Sequence, residues 1–293
     1  MNPINKYFLV IIILISLKGN SQPFIDIANF NYQNFSATTK NNSSLKRTTE
    51  IYSFNLFLPK EFKNGNAFLF RINGESIQSS INSLNETSKV SSLSMAFGYQ
   101  WYSDNKKWKS IIIGIPKLAS DFKESIDGND WQYGALFIEN YKLNSKIQLK
   151  AGLYFNKEAF GNFFVPLIGL DWKASDRLYC YGILPTNYKI EYAIVKKKVY
   201  SGINFKAYTR SFQLSKEQNN DYIRFDELVL KGFVEYYFYK NIVLYFEIGW
   251  SLGKNPLQYK SNSNELTDSK DLYNSKVNYT LISTGLLYRF QLD

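Results

Sequence analysis

The sequence predicts an all-β protein: a closed antiparallel transmembrane β-barrel of about 12–14 strands, with short periplasmic turns and longer extracellular loops. Three observations predict it. Apolar residues recur at every second position in segment after segment, short and long connections alternate along the chain, and the chain starts with a leader of the cleavable kind. Such alternation describes strands with one apolar face, and about ten tilted residues cross a bilayer.

The leader occupies residues 1–21. An apolar run of roughly eleven residues, from Tyr7 to Leu17, follows Lys6 and ends at Lys18, with the expected cleavage close to Ser21. A retained anchor helix would need about twenty apolar residues, so we expect a signal peptide that is removed on export. One barrel domain then covers residues 22–293.

The alternation places fourteen strands after the leader. Seven are predicted to run outward, at 24–35, 67–77, 108–118, 147–157, 177–184, 199–209 and 242–253. Seven return, at 46–58, 89–102, 131–142, 163–173, 187–195, 224–239 and 276–292. If the pair around Pro185 is one bent segment, the count falls to twelve.

The connections sort into two kinds. Those after the returning strands are tight, as at Asn144-Ser145 and Lys240-Asn241, whereas those after the outgoing strands are mostly long and polar, as in 78–88, 119–130 and 254–275. Short periplasmic turns that alternate with long external loops are typical of outer-membrane barrels. The short connections at 157–162 and around Pro185 are exceptions.

The composition fits the same class of protein. Aromatic residues form 17% of the chain, with 23 Tyr and 23 Phe, which suits aromatic girdles at two membrane interfaces. The formal net charge is +10, but the lysines concentrate in predicted turns and no nucleic-acid motif is present, so we expect no nucleic-acid partner. The expected location is the cell outer membrane. The expected partners are its lipid and lipopolysaccharide, the barrel-assembly machinery during biogenesis and a small-molecule solute.

The chain contains no histidine. This excludes the mechanisms of those outer-membrane enzymes that use a histidine as acid or base near neutral pH. Zinc and non-haem iron sites also lose their favoured ligand. The lone Cys180 cannot form an internal disulfide and reads as a small packed side chain. We expect no enzyme activity, no cofactor and no metal site.

Charged residues on the polar faces of the strands should point into the lumen, because Lys or Arg at the midplane of the lipid face costs about 2–4 kcal/mol. This set is mixed in sign: Arg71, Glu75, Lys150, Glu191, Glu227, Lys231, Glu235, Glu247 and Arg289. We favour ion pairs that fill a narrow lumen over the alternative of a polar path or substrate cavity. Strand 131–142 is ambiguous, because both of its faces carry large apolar residues.

Two carboxylate pairs are candidates for a catalytic site. Asp226 with Glu227, and Glu235 with Glu247, have the composition of a glycosidase acid and base, but a lumenal ion network explains them better. The segment 127–130 carries only a fragment of a calcium loop and is predicted to be a turn.

The segment from Phe163 to Tyr200 carries the elements Pro166-Leu167-Ile168-Gly169-Leu170-Asp171-Trp172 and Leu184-Pro185, and ends in Tyr200-Ser201-Gly202. With these elements the chain resembles a family of exported barrels from Bacteroidota-type bacteria that is described as a domain of unknown function. The resemblance implies a fold and a location, and it brings no functional residues with it.

These features favour a passive or selective conduit for a small solute or apolar molecule. The rival is a structural or surface-interaction barrel with a filled lumen, whose loops contact lipopolysaccharide or other surface partners. For the fold, the alternative is a soluble periplasmic pair of β-sandwiches that hides the apolar faces in two cores.

Overall fold

The computed structural model describes residues 24–38, 46–81, 85–252, 257–261, 265 and 279–291. The predicted signal peptide and most of the predicted loop at 254–275 lie outside these residues. The described chain is almost entirely β-strand: β1(Phe24–Thr38), β2(Lys46–Glu61), β3(Ala67–Ile81), β4(Glu86–Tyr102), β5(Trp108–Ser120), β6(Trp131–Lys142), β7(Ile147–Glu158), β8(Gly161–Lys173), β9(Leu178–Leu184), β10(Asn187–Val195), β11(Val199–Gln213), β12(Tyr222–Tyr239), β13(Ile242–Ser251), β14(Leu257–Tyr259) and β15(Thr280–Gln291).

Fourteen of these strands form one closed antiparallel barrel. Each pairs with its neighbours along the chain, β11 pairs with β12, and β15 joins β13 to β1 and so completes the ring. The short β14 adds to the end of β12. The prediction of an antiparallel barrel is confirmed with fourteen strands, because β9 and β10 are two strands joined by a turn at Pro185. The alternative of two packed sheets is wrong, since the strands belong to one sheet.

The alternation in the sequence produces two distinct barrel faces. Along β13 the inward Val243, Tyr245 and Glu247 are buried, whereas the outward Leu244 and Phe246 are 44% and 50% exposed. The same outer face on the other strands carries a continuous belt of exposed Leu, Ile, Phe, Tyr and Trp side chains. Charged outer side chains such as Lys60, Glu139 and Lys157 lie near strand ends. Exposed apolar surface of this extent requires an apolar medium around the barrel.

Within the described residues, no helix has the length and apolarity that a membrane crossing requires.

Strand lengths differ around the barrel in one place that matters for the interior. The hairpin of β9 and β10 has strands of seven and nine residues, whereas the flanking β8 and β11 have thirteen and fifteen. The ladder of β8 with β9 ends at the pair Ile168 and Leu184, and that of β10 with β11 ends at the pair Asn187 and Lys206. The upper parts of β8 and β11 therefore continue beyond the hairpin without a strand between them.

Candidate functional site: a half-filled lumen

The lumen divides into a packed half and an open half. On β12, β13 and β15 almost every inward side chain is buried, from Ile223 to Tyr237 and from Leu281 to Arg289. On β5 most inward side chains are only partly buried, on β3 and β7 about half of them are not fully buried, and Arg71 on β3 is exposed. Free space inside the barrel therefore runs along β2 to β8, to one side of the barrel axis.

A buried ionic network fills the lower part of the packed half. The Arg289 guanidinium lies 2.5 Å from a carboxylate oxygen of Asp26 and 2.5 Å from one of Glu235. The Lys189 ammonium lies 2.5 Å from Glu235 and 2.9 Å from Glu191. Buried charges need this kind of mutual compensation, because each pays a desolvation cost of several kcal/mol.

Aromatic rings complete this lower network. The Arg289 guanidinium stands 3.6 Å from the centre of the Phe24 ring, and the Lys189 ammonium stands 4.0 Å from the centre of the Phe233 ring. The Tyr181 hydroxyl donates to Glu191 over 3.0 Å. Cations over ring faces gain more once they are removed from water, so these contacts help the network to replace solvent.

A second ionic cluster lies higher in the same half. The Lys231 ammonium donates to Glu247 at 2.8 Å, to Ser283 at 2.9 Å and to Gln33 at 3.0 Å. With three partners, every proton of the ammonium group has an acceptor. This cluster links the inner faces of β12, β13, β15 and β1, which are neighbours in the barrel wall.

The upper ends of β11 and β12, residues 207–226, bend inward over the lumen, and we call this segment the roof hairpin. Its inner face places Phe212, Ile223 and Phe225 in a buried apolar cluster with Phe35, Ile51, Ile77, Ile81, Val90 and other side chains. Arg210 of the same face pairs with Glu75 of β3 and, at 2.8 Å, with Glu227 of β12. The Tyr279 hydroxyl donates to Glu227 over 2.6 Å.

The free edge of β11 in the roof hairpin contacts the upper ends of β5, β6 and β7. Ser211 donates its backbone N–H at 2.7 Å and its hydroxyl at 2.6 Å to Glu158 at the end of β7. The Gln132 amide of β6 donates to the Ser211 carbonyl over 3.0 Å. The hairpin continues to β5, where the Asp121 N–H donates to the Gln213 carbonyl over 3.0 Å. The roof hairpin thus touches both sides of the upper barrel and covers the lumen.

The open half is lined by an apolar track with few charges. Partly buried inward apolar side chains on β5 to β9 form it: Ile111, Ile113, Ile115, Leu136, Tyr154, Phe163, Val165 and Ile183. Lower down, Lys150 pairs with Asp171 at 2.6 Å, and Arg71 lies over the Phe57 ring at 4.9 Å. Gly134 of β6 lies on the inner face beside this track in close contact with its neighbours: a Cβ there would lie 3.3 Å from Ile115 and 3.4 Å from both the Asn156 amide oxygen and the Tyr154 hydroxyl.

The nine residues proposed from the sequence all lie on inner faces, but they serve different parts of the lumen. Arg71 and the Lys150 pair border the open half. Glu75 binds the roof hairpin. The remaining six belong to the packed networks: Glu191, Glu227, Lys231, Glu235, Glu247 and Arg289. The described residues therefore place most of this set in structural ion pairs, with only a small part beside free space.

The two carboxylate pairs do not form an acid and base couple. Asp226 lies on the outer face of β12, 2.8 Å from Arg224, whereas its neighbour Glu227 lies on the inner face. Glu235 and Glu247 are each paired with cations. In the loop after β5, the Asp127 N–H donates to Asp130 at 2.9 Å and the Asn129 N–H donates to Asp127 at 2.7 Å, which is the geometry of a turn.

Several lumenal residues escaped the sequence reasoning. Arg210 and Glu158 lie just beyond the predicted ends of their strands, at 209 and 157, because both strands are longer than a membrane crossing requires. Asp26 was hidden by a bulge between Asp26 and Ala28 that shifts the inward positions of β1 by one residue. One feature of the sequence did indicate the apolar track: strand 131–142 carries large apolar residues on both faces. One of these faces contacts lipid and the other borders the open lumen.

Together the closed ring, the apolar belt and the polar interior define a β-barrel of the outer-membrane type. Neither the known family models nor the curated proteins include a match to this chain. Among solved structures, this chain is similar to an outer-membrane channel from Pseudomonas putida F1. The two share 10% identity with a TM-score of 0.46, and the match covers 94% of this chain and 100% of the channel.

Two further solved structures are similar. A deletion mutant of the TodX monoaromatic hydrocarbon channel has 10% identity and a TM-score of 0.43 over 90% of each chain. The NanC porin has 8% identity and a TM-score of 0.39 over 89% of this chain and 98% of the porin. Similarity this remote concerns the barrel alone, so the function has to be argued from this chain.

Proposed function

We propose that this protein is an outer-membrane conduit for a small, uncharged apolar molecule. The observation that carries the proposal is the apolar track on the inner faces of β5 to β9. Inward positions of a fully packed barrel are buried, and those of a water-filled pore are polar. Here Ile111, Ile113 and Ile115 follow one another on the inner face of β5 and are only half-buried. Apolar side chains beside free space suit a ligand that itself avoids water.

The charges of the lumen support the same proposal. Most are neutralised in ion pairs, so they offer no ring of one sign that would select an ion. The roof hairpin also covers the external end of the lumen, which opposes the free flow of ions. In this proposal the leader exports the chain, the apolar belt contacts lipid, and lipopolysaccharide surrounds the external end.

The packed half and the covered mouth favour one rival, a structural barrel whose surface alone is functional. The two are separated by a dye that lipopolysaccharide normally excludes. Cells that express the protein should take up N-phenyl-1-naphthylamine, which fluoresces once it reaches lipid, faster than cells without it. Well-folded protein that leaves dye entry unchanged would favour the rival.

Two matched glycine variants test whether the dye passes through the lumen. Gly134→Phe places a ring on the inner face of β6, against Ile115 and Tyr154, and should abolish the gain in dye entry. Gly114→Phe places the same ring on the outer face of the adjacent β5, where a Cβ meets no atom within 4 Å, and should leave dye entry unchanged. Heat-modifiable gel migration verifies that both variants fold. Equal effects of the two substitutions would show that the dye does not use the lumen.

A further inference from the structure

The wall of the barrel is interrupted between the upper parts of β8 and β11, and we call this gap the side opening. Its lower edge is the turn between β9 and β10, where the Ala207 N–H donates to the Thr186 carbonyl over 3.1 Å. At its upper edge the Ala159 N–H donates to the Ser211 hydroxyl over 2.9 Å, and the Arg224 guanidinium lies 3.9 Å from the centre of the Phe160 ring.

The size of the side opening follows from these two edges. Between Ala207 and Ser211 the strand advances by four residues, or roughly 13 Å at 3.3 Å per residue. Across from this stretch lies the segment of β8 from Phe164 to Pro166, which pairs with β7 but has no partner on its other edge. This stretch sets the height of the side opening along β11.

The β8 edge carries few polar groups toward the side opening. The Lys173 N–H donates to the Lys146 carbonyl at the start of β7, so the odd-numbered residues of β8 bond to β7 and the even-numbered ones point to the free edge. Pro166 is even-numbered and has no N–H to leave unpaired. Between Asn162 and Ile168 this edge therefore keeps one N–H, that of Phe164, and the carbonyls of Phe164 and Pro166. Each unpaired backbone group in hydrocarbon is costly, and Pro166 removes one of the four that an ordinary edge of this length would carry.

The β11 edge is satisfied in the same way. By the alternation that the Ala207 bond sets, Ala207, Thr209 and Ser211 direct their N–H groups toward the side opening. Ala207 bonds the turn and Ser211 bonds Glu158, which leaves the N–H and the carbonyl of Thr209 between them. Each edge thus directs only a few backbone groups to the side opening, fewer than two fully open strand edges of this length would.

The β8 side of the side opening is apolar on both faces of the wall, whereas on its β11 side the Thr209 hydroxyl donates to Asp226 over 3.1 Å on the outer face. On the outer face of β8, Phe164 is 64% exposed and Ile168 is 71% exposed, the two highest values among the large apolar side chains of the described residues. On the inner face, Phe163 contacts Tyr154 and Phe160, with ring centres 6.1 Å and 5.4 Å apart. The lipid belt and the apolar track therefore meet at this point.

We propose that the side opening is a lateral portal that joins the open lumen to the outer-leaflet hydrocarbon, and that its ligand is an uncharged apolar molecule. This proposal rests on the conduit function. It supplies the external exit of the conduit, because the roof hairpin covers the direct route out of the lumen. A molecule that leaves the lumen by the portal reaches lipid without crossing lipopolysaccharide or water, and the reverse route serves export equally.

The test measures contact between lipid tails and the inner wall, and it needs no transport. Cys180 is replaced by serine, and a bimane label is attached to a single cysteine in full-length protein reconstituted in vesicles with brominated acyl chains, which quench on contact. Leu153→Cys, on the lipid face of β7, should be quenched. Ser94→Cys, on the inner face of β4 between two paired strands, should not be quenched. Val165→Cys, on the inner face beside the side opening, should be quenched well above the Ser94 level.

A second arm tests the ligand class. A bimane label at Ile115→Cys, deeper on the apolar track, should be quenched by 1-bromooctane added to the bilayer. Ala207→Trp fills the side opening and should return this quenching to the Ser94 level, whereas Ala151→Trp, on the outer face of β7, should leave it unchanged. A Val165 label that behaves like the Ser94 label overturns the portal even if dye entry is normal. A quenched Val165 label without dye entry overturns the conduit instead.

Discussion

The division of the lumen into two halves makes a quantitative prediction about two arginines. Arg289→Met and Arg71→Met are the same chemical change on inner faces of the barrel. Arg289 is 1% exposed and holds Asp26 and Glu235, whereas Arg71 is exposed in the open half and lies over Phe57. The first substitution should destabilise the barrel strongly and the second hardly at all.

The magnitude follows from what each substitution leaves behind. Removal of one partner from a buried ion pair costs about 3–5 kcal/mol, because the other charge stays buried without compensation. After Arg289→Met, Glu235 still has Lys189 at 2.5 Å, and the Asp26 side chain is 39% exposed and can be solvated. The expected loss is therefore at the lower end, about 3 kcal/mol. For Arg71→Met the expected change is within about 0.5 kcal/mol.

The assay is reversible unfolding in urea with the barrel folded into lipid vesicles, followed by tryptophan fluorescence and by heat-modifiable migration. The double variant Arg289→Met with Glu235→Gln should recover part of the loss, because it removes the excess negative charge that the single change leaves in the network while Lys189 stays paired with Glu191 at 2.9 Å. A loss for Arg71→Met as large as that for Arg289→Met would refute the division of the lumen into a packed and an open half.

Two further predictions concern the roof hairpin. Glu158→Gln weakens the two hydrogen bonds that it accepts from Ser211, so the small ionic conductance expected of the wild type in planar bilayers should rise; unchanged conductance would mean that the roof does not limit ion flow. Phe212→Ala removes a fully buried ring from the cluster beneath the roof and should cost about 3–5 kcal/mol in the free energy of unfolding. A cost below about 1 kcal/mol would show that the roof hairpin is loosely packed.

Strand positions were the part of the structure that the sequence predicted best. Consecutive residues on a barrel strand face lipid and the interior in turn. A strand can therefore be recognised from the polarity of neighbouring residues, without knowledge of the rest of the chain. β6, from Trp131 to Lys142, and β7, from Ile147, agree with the predicted bounds closely. The ends of β1, β2, β3 and β11 were predicted too early, because the strands continue past the apolar belt into polar segments that resemble loops.

The interior was harder to predict, since it depends on contacts between strands that are far apart in the chain. Alternation gives the face of Glu75 or Glu227, but it does not say that both meet Arg210. It also treats all inward positions alike, although those of β13 are packed and those of β5 border free space. That difference arises only in the closed barrel, where the roof hairpin packs against one part of the inner wall and leaves another part uncovered.

One local cause accounts for both the roof hairpin and the side opening. The turn after Leu184 makes both β9 and β10 short, and because β10 starts at Asn187 the upper part of β11 has a partner strand on the β12 side only. Its inner face carries Arg210 and Phe212, which gain partners only if the hairpin leans toward β3. The upper part of β8 likewise lacks the neighbour that a longer β9 would have provided, so a gap remains between β8 and β11 once the hairpin leans away. The short Leu184-Pro185-Thr186 corner, an exception among the long external loops in the sequence, is thus the feature that shapes the whole upper lumen.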